Sequence, residues 1–150
     1  RSDDSKLVTD FIFLCIRQMA YCHCCPADFM TKGKKTPMMR LGFTGFCCRH
    51  CMIDFNPEVT GQMLDYSCRS FSSAADNLAS AISNSFYSHL QRCQRAPSVL
   101  LKALAAFKRV HKGQIAKLPN GSQRRLLQAI WSRLRSNDLT EDKMKNKLEE

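Results

Sequence analysis

Four residues of this 150-residue chain have the types and the spacing of a metal-ion site. Cys48 and Cys51 form a C-x-x-C pair after a glycine-containing approach, and His89 and Cys93 form an H-x-x-x-C pair farther along. Positions i and i+4 share one helix face, so His89 and Cys93 can reach the same ion from one helix. Two thiolates from a knuckle, joined by an imidazole and a thiolate from a helix, make a closed tetrahedral set that is typical of structural zinc.

A second set of ligands competes with the first. Cys22 and Cys25 also form a C-x-x-C pair, and together with Cys48 and Cys51 they would make a four-cysteine site. Either set fills all four positions of a tetrahedral ion, which leaves none for a reactive water, so we expect a structural ion. A third interpretation makes most of the cysteines small core residues, as we expect for Cys15 on the apolar face of the first helix.

The cysteine content also indicates a compartment. The chain has nine cysteines, an odd number, and two adjacent pairs, so complete and unstrained intramolecular disulfide pairing is not expected. We therefore predict an intracellular, metal-binding protein, with the nucleus as one candidate location. The longest apolar run, residues 11–16, is far shorter than the roughly 20 residues of a membrane-spanning helix, so no membrane insertion is expected. Because the sequence opens with Arg1 and shows no leader pattern, we expect a processed form or a fragment.

The positive charge is concentrated in one block. The formal net charge is +10, and residues 96–135 contain nine basic side chains and no acidic one. Helical periodicity in this block predicts two amphipathic helices, with Leu104, Phe107, Ile130 and Trp131 facing a core. We expect the two helices to pack as a hairpin across the metal site. Seven basic residues of the block are predicted to face solvent and to contact nucleic acid: Lys102, Lys108, Arg109, Lys112, Arg124, Arg125 and Arg135.

Three interpretations of this basic block remain open. Lys and Arg without acidic neighbours suit a phosphate backbone, and each contact would add to the salt dependence of binding. The same side chains would also suit an acidic protein partner or a membrane surface, and a basic helix face can simply be solvated. No aromatic residues interleave with the basic ones in sequence, so the pattern gives little support to stacking on single-stranded nucleic acid.

Three stretches resemble a family of largely uncharacterised diatom-type algal proteins: GFTGFCCRHC at 42–51, SFYSHLQRC at 85–93, and GSQ at 121–123 followed by WSRL at 131–134. The resemblance covers roughly residues 40–135 and implies zinc ligation by Cys48, Cys51, His89 and Cys93. Residues 61–66, GQMLDY, depart from the aromatic-Phe-Pro segment that the family often carries. A weaker likeness is to BED-type zinc fingers, which bind DNA, although the 37 residues between the two pairs are more than that pattern has.

The remaining sequence predicts the elements that position these residues. Helices are expected at 5–20, 74–82, 83–93, 97–111 and 123–135, with a strand at 41–48 leading into the knuckle and a returning strand at 63–68. Residues 26–40, which include Lys32, Lys34 and Lys35, are predicted to form a loop, and residues 137–150 a polar tail that frays or becomes helical on docking. We therefore predict a single zinc-stabilised domain over residues 1–136, mostly α with a small β element. Within it, residues 41–95 form the zinc-binding core and residues 96–135 the basic helical hairpin.

The sequence lacks the local motifs of several enzyme classes. It contains no glycine-rich phosphate loop, no G-x-S-x-G elbow and no H-E-x-x-H helix. We therefore expect a non-catalytic protein without a small-molecule substrate. The predicted function is a zinc-stabilised nucleic-acid-binding module, and the alternative is a zinc-stabilised scaffold whose basic helices dock on an acidic protein assembly.

Overall fold

The computed structural model describes residues 6–30, 40–52 and 68–140. These residues form a mostly helical fold with one two-stranded sheet, which confirms the predicted fold class at that level. The α-helices and strands are α1 (Asp10–Arg17), β1 (Met19–His23), β2 (Thr44–Cys48), α2 (Leu78–Ser80), α3 (Tyr87–Arg92), α4 (Ser98–Lys117) and α5 (Ser122–Ser136).

Helix α1 is shorter than the sequence predicted. It begins after Thr9, whose side-chain oxygen accepts a hydrogen bond from the backbone N–H of Ile12, and it ends at Arg17. The prediction of helix up to residue 20 is wrong, because the chain turns at Gln18 and continues as β1. The apolar face of α1 is buried as predicted, and Cys15 on that face is a core residue.

The sheet pairs β1 with β2 in antiparallel register, from Met19 opposite Cys48 to His23 opposite Thr44. The sequence predicted β2 within residues 41–48 but not β1. Most of the predicted returning strand, residues 63–67, lies outside the described residues. On the other edge of β2, Phe46 and Ser70 exchange two backbone hydrogen bonds of 3.0 and 2.8 Å.

Gly45 permits the chain around Ser70 to approach β2 closely. A Cβ atom at position 45 would lie 2.0 Å from the carbonyl oxygen of Ser70 and 2.6 Å from the Phe71 ring. Any side chain here would therefore separate the two segments, so this position requires glycine because of packing.

Residues 75–92 form one continuous helical stretch of changing geometry. A 3-10 turn (Ala75–Asn77) leads into α2, a π-helical segment (Ala81–Phe86) follows, and α3 completes the stretch. At the start of this stretch, Ala74 occupies the N-cap position without a side-chain hydrogen bond. A π-helical segment widens the helix locally and rotates the following residues relative to a regular α-helix. This rotation sets the direction in which α3 presents His89.

Helices α4 and α5 are joined by a turn in which Gly121 has a positive φ of 72°. Helix α4 continues to Lys117, past the predicted end near residue 111. It packs mainly on α1, whereas α5 packs mainly on the 75–77 turn and α2 and also touches β2. The predicted hairpin across the metal site is therefore corrected: the two helices cover different parts of the core.

The start of the C-terminal tail is held by hydrogen bonds. The backbone N–H of Leu139 donates to the carbonyl of Gly42 at 2.9 Å, and the N–H of Thr44 donates to Asp138 Oδ1 at 2.6 Å. The prediction of a frayed or docking-dependent tail is therefore wrong for residues 137–140, and residues 141–150 lie outside the described part of the chain.

Candidate metal centre and basic surface

The structure brings the four residues of the first predicted ligand set together. Their ligand atoms, three Sγ and one imidazole nitrogen, all lie within 4.8 Å of one another. The four residues are at most 9% exposed. Cys48, Cys51, His89 and Cys93 are thus close enough to hold one metal ion, and the described residues contain no other such group.

Two distances within this cluster match the edges of a tetrahedral zinc site. Cys51 Sγ lies 3.8 Å from Cys93 Sγ and 3.4 Å from His89 Nε2. Zn–S bonds of ~2.3 Å and Zn–N bonds of ~2.0 Å in tetrahedral geometry place neighbouring ligand atoms about 3.8 Å (S to S) and about 3.5 Å (S to N) apart. All nine cysteines lie in the described part of the chain and are free thiols, so the cluster is not held by a disulfide.

Two separate pieces of backbone supply these ligands. Cys48 is the last residue of β2, and the turn that follows it carries Cys51. His89 lies on α3, but Cys93 is the C-cap of that helix, with extended backbone at φ −71° and ψ 113°. The prediction that both residues lie on one helix face is therefore corrected: the helix ends before Cys93, and the extended cap residue completes the cluster.

Gln18, which follows α1, fixes the knuckle between Cys48 and Cys51. The backbone N–H of Arg49 donates to the carbonyl of Gln18 at 2.9 Å, and His50 Nε2 pairs with Gln18 Oε1 at 2.8 Å. Gln18 Nε2 donates to the carbonyl of Leu14, which leaves Oε1 to accept from His50. Sequence reasoning missed Gln18, since a glutamine after an amphipathic helix has no distinguishing spacing.

Burial raises the pKa values of two thiols in the cluster, those of Cys48 and Cys51. For Cys48, burial raises the pKa, while backbone N–H groups of Cys51 and His50 act in the opposite direction. For Cys51, burial raises the pKa most, and the neighbouring Cys68, Cys48 and Cys93 raise it further. Several thiolates at such short range require a compensating positive charge, which a bound divalent cation would supply.

Cys22 and Cys25, the two cysteines that belong only to the competing four-cysteine set, lie away from the cluster. The neighbouring Cys47 thiol, together with burial, raises the pKa of the Cys22 thiol, and the backbone N–H of Cys25 donates to Asp28 Oδ2 at 2.8 Å. Arg69 forms a buried ion pair with Asp28 at 2.8 Å. The loop after β1 is thus fastened to residues 68–71, and the structure does not bring Cys22 and Cys25 to the metal cluster.

Six of the seven predicted nucleic-acid contacts are exposed: Lys102, Lys108, Arg109, Lys112, Arg124 and Arg125. Some of these have partners within the protein. Lys108 Nζ lies 4.7 Å from the centroid of the Phe11 ring, and Arg124 pairs with Asp76 at 3.3 Å on the surface. The anchors Leu104, Phe107, Ile130 and Trp131 are buried or packed against the core, as predicted.

Arg135 is the exception among the seven, because the prediction that it faces solvent is wrong. Its guanidinium carbon lies 3.3 Å from the centroid of the Phe43 ring, and its side chain is only 17% exposed. It donates a hydrogen bond to the carbonyl of Thr44 and pairs with Asp138 at 3.6 Å. Burial lowers its pKa. Helical periodicity placed Arg135 opposite the apolar face of α5, but β2 and the docked tail cover that position.

No family model matches this chain, and no curated protein or solved structure matches it either. The resemblances drawn from its motifs therefore stay predictions. Within the described residues, no helix combines the length and the apolar character that crossing a lipid bilayer requires.

Proposed function

We propose that this chain is a zinc-stabilised, non-catalytic module that binds nucleic acid through exposed basic side chains on α4 and α5. The observation that carries the proposal is the pairing of a buried Cys3His cluster with a basic block without acidic residues. Of the nine basic residues in 96–135, only Arg135 is not exposed.

Zinc is the ion that the donor set favours. Three thiolates and an imidazole are soft and borderline ligands, which suit Zn²⁺ and disfavour Mg²⁺ or Ca²⁺. Four protein ligands leave no open position, so the ion would contribute to folding. The cluster ties the end of β2 to the end of α3, and ligand binding would therefore stabilise the contact between these segments.

The exposed face of α4 is the best candidate for phosphate contacts. Lys102 and Arg109 are seven residues apart, so they lie on one face of α4 about two turns apart. Neither side chain forms a hydrogen bond or an ion pair with the residues that the structure describes, so both charges are available to a polyanion. Contacts of this kind position a protein on the nucleic-acid backbone and carry little sequence information.

A second candidate function is docking on an acidic protein assembly, and one observation favours it. Val99 and Val110 of α4 are 73% and 55% exposed. Apolar side chains beside basic ones suit a protein surface better than a phosphate backbone. This candidate replaces the first if the chain does not bind nucleic acid at low salt.

Metal content tests the first half of the proposal. Native mass spectrometry of the purified chain should show one zinc ion per chain. His89→Ala should release it, whereas Cys22→Ser, a cysteine outside the cluster, should retain it. Retention by His89→Ala with loss in Cys22→Ser would instead support the four-cysteine set.

Salt dependence tests the second half. Affinity for generic duplex DNA should fall linearly on a log–log plot against salt, and Lys102→Ala with Arg109→Ala should flatten the slope by about two. The matched control is Lys102→Arg with Arg109→Lys, which keeps both charges and should bind like the parent. An alanine pair that binds like the parent, or a parent that does not bind at low salt, contradicts the proposal.

A further inference from the structure

A cavity of about 320 Å³ lies between the sheet and the end of α5. The strand residues that line it are Tyr21, His23 and Thr44, and the residues from the α5 end are Ser136, Asn137, Asp138 and Leu139. It is separate from the metal cluster, with which it shares no residue. Its volume is at the lower end of the range for ligand pockets, which is about 300–1,000 Å³.

The side chain of Thr44 carries a buried hydroxyl group at the wall of this cavity. The residue is 1% exposed, and its Oγ1 has no hydrogen-bond partner among the described residues. Its backbone N–H and carbonyl are both used, by Asp138 and Arg135 respectively. A buried hydroxyl without a partner is unfavourable, and because Oγ1 has almost no accessible surface, a ligand atom can pair with it only after the Thr44 side chain turns toward the cavity.

Tyr21 supplies an exposed aromatic ring at the same cavity. It is 59% exposed, and it is the one aromatic among the large exposed apolar residues of the described chain. His23, two residues along the same strand, shares its face of the sheet. The ring nitrogen Nε2 of His23 donates to the carbonyl of Asn137 at 3.0 Å, so its Nδ1 is left as an acceptor in the neutral ring.

Among the residues that the structure describes, the charged side chains around the cavity carry a net positive charge. The single carboxylate, Asp138, is shared by two arginines, with Arg135 at 3.6 Å and Arg40 at 3.8 Å. The side chain of Arg40 is 69% exposed, so most of its surface faces solvent at the rim. Arg133 is also exposed, and its carbonyl accepts a hydrogen bond from Asn137 Nδ2. An anionic group attached to the ligand would therefore be attracted.

We infer that this cavity binds an unstacked nucleobase of a single-stranded nucleic acid, a step that rests on the proposed function. The base stacks on Tyr21 and pairs with His23 Nδ1. Once the Thr44 side chain turns toward the cavity, the base also pairs with its Oγ1, and the phosphates lie toward Arg40 and Arg133. The aromatic ring suits the face of a base, and the hydroxyl and the imidazole suit its hydrogen-bonding edge. The positive charge suits the phosphates of the nucleotide backbone.

The test compares a single-stranded oligonucleotide with a blunt duplex of the same sequence, by fluorescence anisotropy at fixed low salt. Stacking on one aromatic side chain contributes about 1–3 kcal/mol per base, so Tyr21→Ala should weaken single-strand binding about 5- to 150-fold. Tyr21→Phe keeps the ring and is the matched control, which should retain most of the affinity. Thr44→Val, which removes only the hydroxyl, should weaken it about 2- to 10-fold. Duplex affinity should be the same in all variants.

The outcomes separate this inference from the proposed function. One outcome overturns only the inference about the cavity: the parent binds duplex with the predicted salt slope, and Tyr21→Ala binds single strands as tightly as the parent does. An equal loss for strand and duplex also overturns it. If the parent binds neither form, both proposals fail. Adenosine and cytidine monophosphates are tested as further ligands. If they bind in a Tyr21-dependent manner and the single strand does not bind, the cavity is a site for free nucleotides, and the inference of a single-stranded ligand is overturned.

Discussion

His50 Nε2 lies 2.8 Å from Gln18 Oε1, although 32 positions separate the two residues in the chain. The pair joins the residue that follows α1 to the knuckle that carries two of the four candidate metal ligands. His50 itself is not in the metal cluster, so its position between Cys48 and Cys51 serves to hold the turn. The residue that caps the N-terminal helix thereby supports the candidate metal centre without being one of its four candidate ligands.

Loss of the Gln18 side chain should weaken metal binding. Outer groups that orient a metal site commonly contribute about 10- to 100-fold in affinity, and we expect Gln18→Ala to be near the lower end because it acts through the turn. Competition with a chromophoric chelator measures the effect. Gln18→Glu retains an acceptor for His50 and serves as the control. Equal affinity in Gln18→Ala and the parent would show that the backbone contacts of the knuckle suffice.

Acid should weaken the contact between α1 and α4 through His111. His111 Nδ1 lies 2.8 Å from Thr9 Oγ1, and burial, followed by the nearby Lys108, lowers the pKa of His111 below its ordinary value of 6.5. The neutral ring is favoured in the fold, so the stabilisation is complete above about pH 6.5 and is lost as pH falls through the lowered pKa.

Thermal unfolding between about pH 7.5 and 5 measures this contribution. As the pH is lowered, the unfolding temperature of the parent should fall more steeply than that of His111→Gln, in which residue 111 cannot be protonated. Because metal ligands are also protonated in acid, the comparison is made between the two proteins at equal zinc. Parallel pH profiles for the two proteins would contradict the prediction.

Gly45→Ala should destabilise the sheet, because the added Cβ would lie 2.0 Å from the Ser70 carbonyl. Overpacking of this kind costs about 1–3 kcal/mol, and it should weaken the pairing of Phe46 with Ser70. Gly113→Ala on α4 is the control, since a Cβ there has no described atom within 4 Å and should stabilise the helix by up to about 1 kcal/mol. Chemical unfolding of both variants gives the two free energies. A Gly45→Ala protein as stable as the parent would mean that residues 68–71 can move away from β2 at no cost.

Arg135→Ala should reduce stability, whereas Arg133→Ala should leave it nearly unchanged. Arg135 lies over the Phe43 ring and bonds to Thr44 and Asp138, so its removal should cost about 1–3 kcal/mol. Arg133, two positions earlier on α5, is exposed. Equilibrium unfolding in denaturant distinguishes the two variants. If they are equally stable, the contacts of Arg135 contribute nothing net.

Local patterns in the sequence were sufficient to predict several features of the structure. The apolar periodicity of α4 and α5 predicted both helices and their anchors, since helical spacing alone brings Leu104 and Phe107 to one side. The two short cysteine and histidine motifs identified the four residues of the cluster as candidate ligands, because thiol and imidazole chemistry is a property of the side chains themselves. The exposed basic residues also followed from the pattern, except at Arg135.

The tertiary structure decided which distant segments meet. Cys51 and His89 are 38 positions apart, and their 3.4 Å separation depends on β2, the knuckle and the π-helical segment before α3. No periodicity indicated that β1 would pair with β2, or that the tail would cover Arg135 and leave a cavity beside Tyr21. Spacing within one element is set by the geometry of that element. Contacts between elements depend on the sum of many weak packing terms, and no short stretch of sequence contains that sum.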